Sequence, residues 1–284
     1  MATFYNQATL SYNGNTTTSN ITTGELVEVL SATKTAVQTE YQQDDTLTYV
    51  VNILNSGNTT MTGVTISDNL GAYTLNTITL VPMDYVVGTV RYYVGGVLQP
   101  TPTVTAGPPL TISGLSVPAK GNVTVIYQAK TNDYAPLAQK SSITNTATIN
   151  ANNIANPITA SATVNAYSEP VLRISKSLTP TTVSENGQLT YTFIIQNYGN
   201  TAADEADALI VSDRFDPILN PITVAFNGTA WTEGTEYTYD ATTGQFVSTA
   251  GIITVPAASY TQDAATGAIS IVPGSATLTI TGTV

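Results

Sequence analysis

The 284 residues contain no cysteine and no histidine, and eight lysines and arginines are set against nineteen aspartates and glutamates. Without histidine or cysteine there is no Ser-His-Asp or Cys-His machinery, no thiolate nucleophile, no Cys/His zinc site and no disulfide framework. The few cations are spread along a chain of net charge −11 and pI near 4.1. Nucleic acid is therefore not an expected partner, because phosphate binding needs clustered Lys and Arg. No apolar run approaches the roughly 20 residues of a membrane-spanning helix. The start, Met1 to Gln7, lacks the basic residues and apolar run of a secretory signal. Export reads either as a leader removed ahead of this numbering or as release by lysis of the producing cell. Neither a metal nor a cofactor is expected: Asp44-Asp45 and Asp204-Glu205-Ala206-Asp207 lack the spaced ligands and glycine of a calcium loop and read as solvated turns.

Threonine is abundant, at 52 residues, alongside Val, Ile and Tyr, while only 10% of the chain is charged. That is the palette of strands with one wet face, and the length suits two modest cores. An internal repeat supplies both. Leu47-Thr48-Tyr49 recurs as Leu189-Thr190-Tyr191, and Asn55, Gly57 and Asn58 recur at the same offset as Asn197, Gly199 and Asn200. Lys34 maps onto Lys176, and Val64-Thr65-Ile66-Ser67-Asp68 onto Leu209-Ile210-Val211-Ser212-Asp213, with a three-residue gain at the acidic turn between. Each copy reads as short alternating segments punctuated by Asn-Gly, Ser-Gly and Pro, as in a sandwich with hairpin turns.

The order of these motifs, closing with Ile143-Thr144-Asn145-Thr146-Ala147-Thr148-Ile149, resembles the conserved-repeat domain of bacterial surface proteins, domain of unknown function eleven. The resemblance implies an immunoglobulin-like sandwich in envelope proteins and no biochemical activity. The expected fold is all-β: tandem immunoglobulin-like β-sandwiches plus an N-terminal donor hairpin.

The second copy is offset. Residues 30–167 form a complete copy ending in a hairpin of Ile143 to Asn150 and Ile158 to Ala166, 168–171 form a linker, and 172–284 lack that hairpin. Its counterpart lies at the other end, where Phe4-Tyr5-Asn6-Gln7-Ala8-Thr9-Leu10 matches Ile143 to Ile149 and Gly24 to Val29 fills a second strand. A sandwich short of two strands leaves unpaired backbone and an open core. Residues 1–29 are thus expected to complete the second domain of a neighbouring copy, a head-to-tail contact that propagates as a filament. The alternative is a tail with no partner.

Alternation also aims polar residues inward. Lys34 shares a face with Leu30 and Ala32, Asp68 with Val64 and Ile66, and Asn145 with Ile143 and Ala147. The second copy repeats this with Lys176 and Asp213, and the hairpin with Asn6. An enclosed lysine tends toward the neutral amine and an enclosed aspartate toward the acid, which are the requirements of a Lys-Asn isopeptide bond with loss of ammonia. The arrangement is similar to that of Gram-positive pilin and adhesin domains that cross-link themselves. That resemblance implies Lys34 joined to Asn145 with Asp68 assisting, and Lys176 joined to Asn6 of the next copy with Asp213 assisting. The other reading of each trio is a hydrogen-bonded Lys-Asp pair beside an Asn, or strand-end residues reaching water.

Two functions of different class follow. One is a non-enzymatic structural subunit, a homopolymer on the extracellular face of a bacterial cell or spore. The other is an adhesin or ligand-binding module. Tyr92 and Tyr93, or Trp231 with Tyr237 and Tyr239, would then form a carbohydrate platform, although cross-strand packing explains them equally well.

Overall fold

The structure, a computed structural model, describes residues 2–26, 29–152, 154 and 156–284. Among the described residues its regular elements are β-strands apart from one 3-10 turn, and no helix is long and apolar enough to cross a membrane. The chain divides into two compact units, Met1–Pro136 with Ser142–Asn165, and Leu137–Ser141 with Ala166–Val284.

The first unit is a sandwich of two six-stranded sheets. One runs in the order Val97–Leu98, Arg91–Val94, Asn122–Thr131, Thr46–Asn55, Leu30–Ala36, with Met83–Tyr85 also paired to Asn122–Thr131. The other runs Thr103–Thr105, Leu110–Val117, Met61–Asp68, Ser142–Asn150, Ile158–Ala166, Glu40–Tyr41. Period-two patterning decides the faces: Leu47, Tyr49, Val51 and Ile53 are wholly buried, as are Val123, Val125, Tyr127 and Ala129 of the paired strand. Val64, Ile66, Leu110, Ile112, Ala147 and Ile149 supply the other layer. At roughly 1.5–3 kcal/mol for each large apolar side chain, this burial is the main term opposing chain entropy.

The second unit has a five-stranded sheet, Leu172–Thr179, Gln188–Asn197, Gly274–Thr283, Ile222–Phe226, Thr229–Trp231, and a three-stranded one, Ser212–Arg214, Gln245–Ser248, Tyr237–Asp240. Phe215 and Phe246 are buried at its centre, with Tyr191 stacked 5.0 Å from Phe215. The repeated Asn-x-Gly is one turn used twice. Asn55 Oδ1 accepts the Gly57 N–H while its Nδ2 donates to Thr59 O, and Asn197 serves Gly199 and Thr201 in the same way. A Cβ on Gly199 would lie 2.1 Å from Glu169 O, so no other residue fits there. The acidic turn is a single 3-10 turn, Glu205–Asp207, capped by Asp204.

The N-terminal segment is two short ladders in series. Ala2–Asn6 pairs with Thr22–Leu26, and Thr9–Tyr12 with Asn15–Thr18, closed by Asn13 and Gly14 at positive φ. Among the described residues neither ladder pairs with any other strand. Two expectations change here. The second strand starts at Thr22 rather than Gly24, and Met1, Val27 and Glu28 lie outside the described residues. The outgoing strand also breaks at Gln7-Ala8, where the Ser19 hydroxyl accepts the Ala8 N–H and Gln7 donates to Ser19 O. The pairing shifts by one residue across that break, as at a β-bulge.

Candidate cross-linking site

In the first unit the structure brings Lys34, Asp68 and Asn145 into one buried cluster. Lys34 arrives on an edge strand paired to Thr46–Asn55, while Asp68 and Asn145 come from neighbouring strands of the other sheet, where Asp68 sits opposite Ala147. Lys34 Nζ donates to Asp68 Oδ2 at 2.5 Å, and both side chains are fully enclosed. The Tyr127 hydroxyl donates to the same oxygen at 2.5 Å and accepts from Asn145 Nδ2 at 3.2 Å. The Gly71 N–H donates to Asn145 Oδ1 at 3.2 Å, and the Leu70 N–H to Asp68 Oδ1 at 3.0 Å.

The electrostatics follow from enclosure. Burial pulls Lys34 down to about 8, with the charge of Asp68 and its hydrogen bond resisting. Tyr127 is pushed well up by burial and by the facing Asp68 carboxylate, and Tyr49 is raised for the same two reasons. The Lys34 ammonium also lies 4.8 Å from the ring centre of Tyr49. Chemically the cluster holds an amine, a carboxyl group and a carboxamide whose oxygen already accepts an N–H. Those are the parts needed to form an amide from the first and third.

In the second unit the counterparts are not enclosed. Lys176 is ion-paired to Asp213, but their side chains are 39% and 20% exposed. Rings of Tyr191, Phe193 and Phe215 flank Lys176, while Leu172 and Ile174 on the same strand face solvent. Sequence alternation aims Lys176 at a core. The structure leaves it at an open face, because the sheet carrying Asp213 ends at Ser212–Arg214. The corresponding sheet of the first unit continues from Met61–Asp68 through Ser142–Asn150 and Ile158–Ala166.

Asn6 is exposed on the hairpin, opposite Thr22. Phe4, Tyr5, Leu10 and Tyr12 are exposed beside it at 57–69%. The Phe4 ring covers Gly24, where a Cβ would meet it at 2.3 Å. The described residues therefore place Lys176 with Asp213 in the second unit and leave Asn6 exposed in the first.

Sequence reasoning missed Tyr127. The signal was available in alternation, which aims Val123, Val125 and Tyr127 to one side, but its pairing with Tyr49 is a register between distant strands. In the second unit Tyr191 pairs with Ile280, so the counterpart of Tyr127 carries no hydroxyl.

Three of the remaining sequence candidates have packing or backbone partners. Trp231 stacks on Phe226 at 5.3 Å, the Tyr239 hydroxyl donates to Leu219 O, and Tyr92 donates to Ser116 O. Among the described residues no group of three or more acidic side chains could hold a metal ion.

No family model matches the chain, and no curated protein matches it. Among solved structures it is similar to the pilus backbone RrgB of Streptococcus pneumoniae, at 14% identity and TM-score 0.36 over 86% of this chain and 55% of that one. It is also similar to BcpA, the major pilin subunit of Bacillus cereus, at 12% identity and TM-score 0.37 over 96% and 73%. The major pilin SpaD of Corynebacterium diphtheriae gives 11% identity and TM-score 0.36 over 86% and 59%. The chain spans about half the length of the RrgB structures, 55% of one and 42% of another.

Proposed function

We propose that the chain is a structural subunit that assembles head to tail into an extracellular filament, the hairpin of one copy completing the second unit of the next. The observation that carries this reading is a pair of matching features. Among the described residues the outer edge of Ser212–Arg214 stands open where the first unit has Ser142–Asn150, and an N-terminal hairpin carrying the sequence match to that strand pairs with no other strand. Carrying the first unit's pairing across sets Ala8 opposite Asp213, Thr9 opposite Ser212 and Leu10 opposite Val211. Backbone hydrogen bonds along that edge, together with burial of Phe4, Leu10, Leu172 and Ile174, would drive the addition. The contact is heterologous, so it repeats without closing unless the rotation forms a ring.

On this reading each subunit closes one bond of its own, Lys34 to Asn145 with Asp68 assisting. Each junction closes another, Lys176 to Asn6 of the incoming copy with Asp213 assisting. Lys176 and Asp213 supply the amine and the carboxyl group, and the docked hairpin supplies both the amide and the cover that removes them from water.

The test is to boil the assembled protein in detergent, separate it on a denaturing gel and take intact masses. A ladder in which each junction has lost one ammonia is the expected result, and deletion of residues 1–29 abolishes both ladder and filaments. Filaments that persist after the deletion overturn the head-to-tail reading. A single band with filaments intact overturns the junction bond alone.

A further inference from the structure

Resting on the reading of Lys34 and Asn145 as a bond-forming pair, we infer that Tyr127 is a catalytic residue of that reaction, the relay that carries a proton from Asp68 to the departing amide nitrogen. Four groups stand in an unbroken hydrogen-bonded row: Lys34 Nζ to Asp68 Oδ2 at 2.5 Å, Tyr127 Oη to the same oxygen at 2.5 Å, and Asn145 Nδ2 to Tyr127 Oη at 3.2 Å. The row begins at the attacking atom and ends at the leaving atom. No direct hydrogen bond between Asp68 and Asn145 appears among those of the site, so the hydroxyl is the bridge the geometry provides.

The proton balance explains why a bridge is needed. The Lys34 ammonium first gives a proton to the Asp68 carboxylate, leaving an amine that attacks Asn145 Cγ. Negative charge develops on Oδ1, where the Gly71 N–H already points. While Cγ is planar, amide resonance holds the Nδ2 lone pair, and Nδ2 serves as the donor to Tyr127. Once Cγ is tetrahedral, that lone pair is free and the hydrogen bond can reverse. Tyr127 then passes its proton to Nδ2 as it takes the one held by Asp68. The Cγ–Nδ2 bond breaks, ammonia departs, and Asp68 accepts the surplus proton from the new amide nitrogen. The three protons of the ammonium and the two of the carboxamide end as three on ammonia, one on the amide and one on Asp68. Ammonia carries that last proton away as ammonium.

The second unit sharpens the assignment. Ile280 holds the position of Tyr127, so a junction bond forms without this relay and more slowly than the bond within the first unit. A subunit is therefore cross-linked internally before it is linked to a neighbour.

The experiment uses the full chain with Lys176→Ala, so that one bond is available, made in a cell-free synthesis pulse and followed by intact mass. The starting chain is expected to lose one ammonia within the pulse. Tyr127→Phe, which keeps the ring and its stacking on Tyr49, is expected to fold and to slow that loss about 100-fold or more, the range of a positioned acid or base. A hydroxyl that merely holds Asn145 would also slow the reaction when removed, so a second variant carries difluorotyrosine at 127. That side chain keeps the hydrogen bonds and the shape but has a more acidic hydroxyl.

A rate that changes with the hydroxyl's acidity, at unchanged thermal unfolding, supports the relay. Ammonia loss by Tyr127→Phe at the starting rate, or an unaltered rate in the fluorinated chain, overturns it. If the starting chain itself keeps its full mass, the reading of Lys34 and Asn145 as a bond-forming pair fails instead.

Discussion

Replacing Asn145 by alanine separates a covalent site from a hydrogen-bonded one by magnitude. A Lys34 to Asn145 bond would close a loop of about 110 residues, and the chain-entropy model for cross-links gives about 4.7 kcal/mol at a loop of about 100 residues. Alanine also leaves the Gly71 N–H and one lone pair of the Tyr127 hydroxyl without their Asn145 partner inside the sandwich. Each keeps another partner, Asn69 Oδ1 for the N–H and Asp68 for the hydroxyl, so each lost hydrogen bond costs about 0.5–1.5 kcal/mol. The covalent case therefore loses about 6–8 kcal/mol. For a unit of this size each kcal/mol moves the midpoint by about 3–4 °C, so the first unit should melt about 20–30 °C lower. A hydrogen-bonded trio loses only those two hydrogen bonds, about 1–3 kcal/mol in total, a shift of no more than about 10 °C. Scanning calorimetry reads the shift, and intact mass shows one more ammonia in the variant than expected from the substitution alone. A shift under about 10 °C, with the unsubstituted chain at its full mass, refutes the covalent site in the first unit.

The pH response of the same Asn145→Ala chain, whose Lys34 amine stays free, follows from its lowered folded-state pKa. Between about 8 and the ordinary 10.5 the unfolded chain binds more protons at this lysine than the folded one. Stability should therefore rise from about pH 8 to pH 10, until the buried tyrosines Tyr49 and Tyr127, raised in the folded state, reverse the trend. Urea midpoints across that range check the sign, and a midpoint that falls between pH 8 and 10 contradicts it. Asp213→Asn should leave filaments visible by electron microscopy yet reduce the boiled sample to one band. In a chain carrying Phe4→Asp and Leu10→Asp, an amine-acylating reagent should modify Lys176, 39% exposed, and spare the enclosed Lys34, as read by peptide mass mapping. Phe4→Ala should weaken assembly by about 3–5 kcal/mol, the usual cost of truncating a buried aromatic, measured by the critical concentration for filament growth.

How far the sequence could be read depended on the range of each feature. The strand character, the duplicated turn at Asn55 and Asn197, and the inward aim of Lys34, Asp68 and Asn145 all follow from period-two alternation and local turn chemistry, both carried by a few adjacent residues. Tyr127 was not legible as their partner, because its place beside Asp68 and Asn145 depends on how two sheets pack. The bulge at Ser19 was hidden for a similar reason, since it records a one-residue slip between strands that are themselves ordinary. Lys176 shows the opposite limit. Its strand repeats the pattern of the first unit, but whether the patterned face is covered depends on strands outside its own neighbourhood.

The placement of Lys34 and Asn145 also determines how a pulled fibre would bear load. Tension enters the first sandwich along the strand that carries Lys34 and leaves through the hairpin that contains Asn145 and feeds the second unit. With those two residues joined, residues 35–144 hang beside the line of force as a slack loop. Stretching the fibre would then strain one amide, the start of the Lys34 strand and residues 146–166, which stay in the line of force. Residues 35–144 could melt and refold under tension without adding to that length, so growth of the subunit would be limited to the segment that follows Asn145.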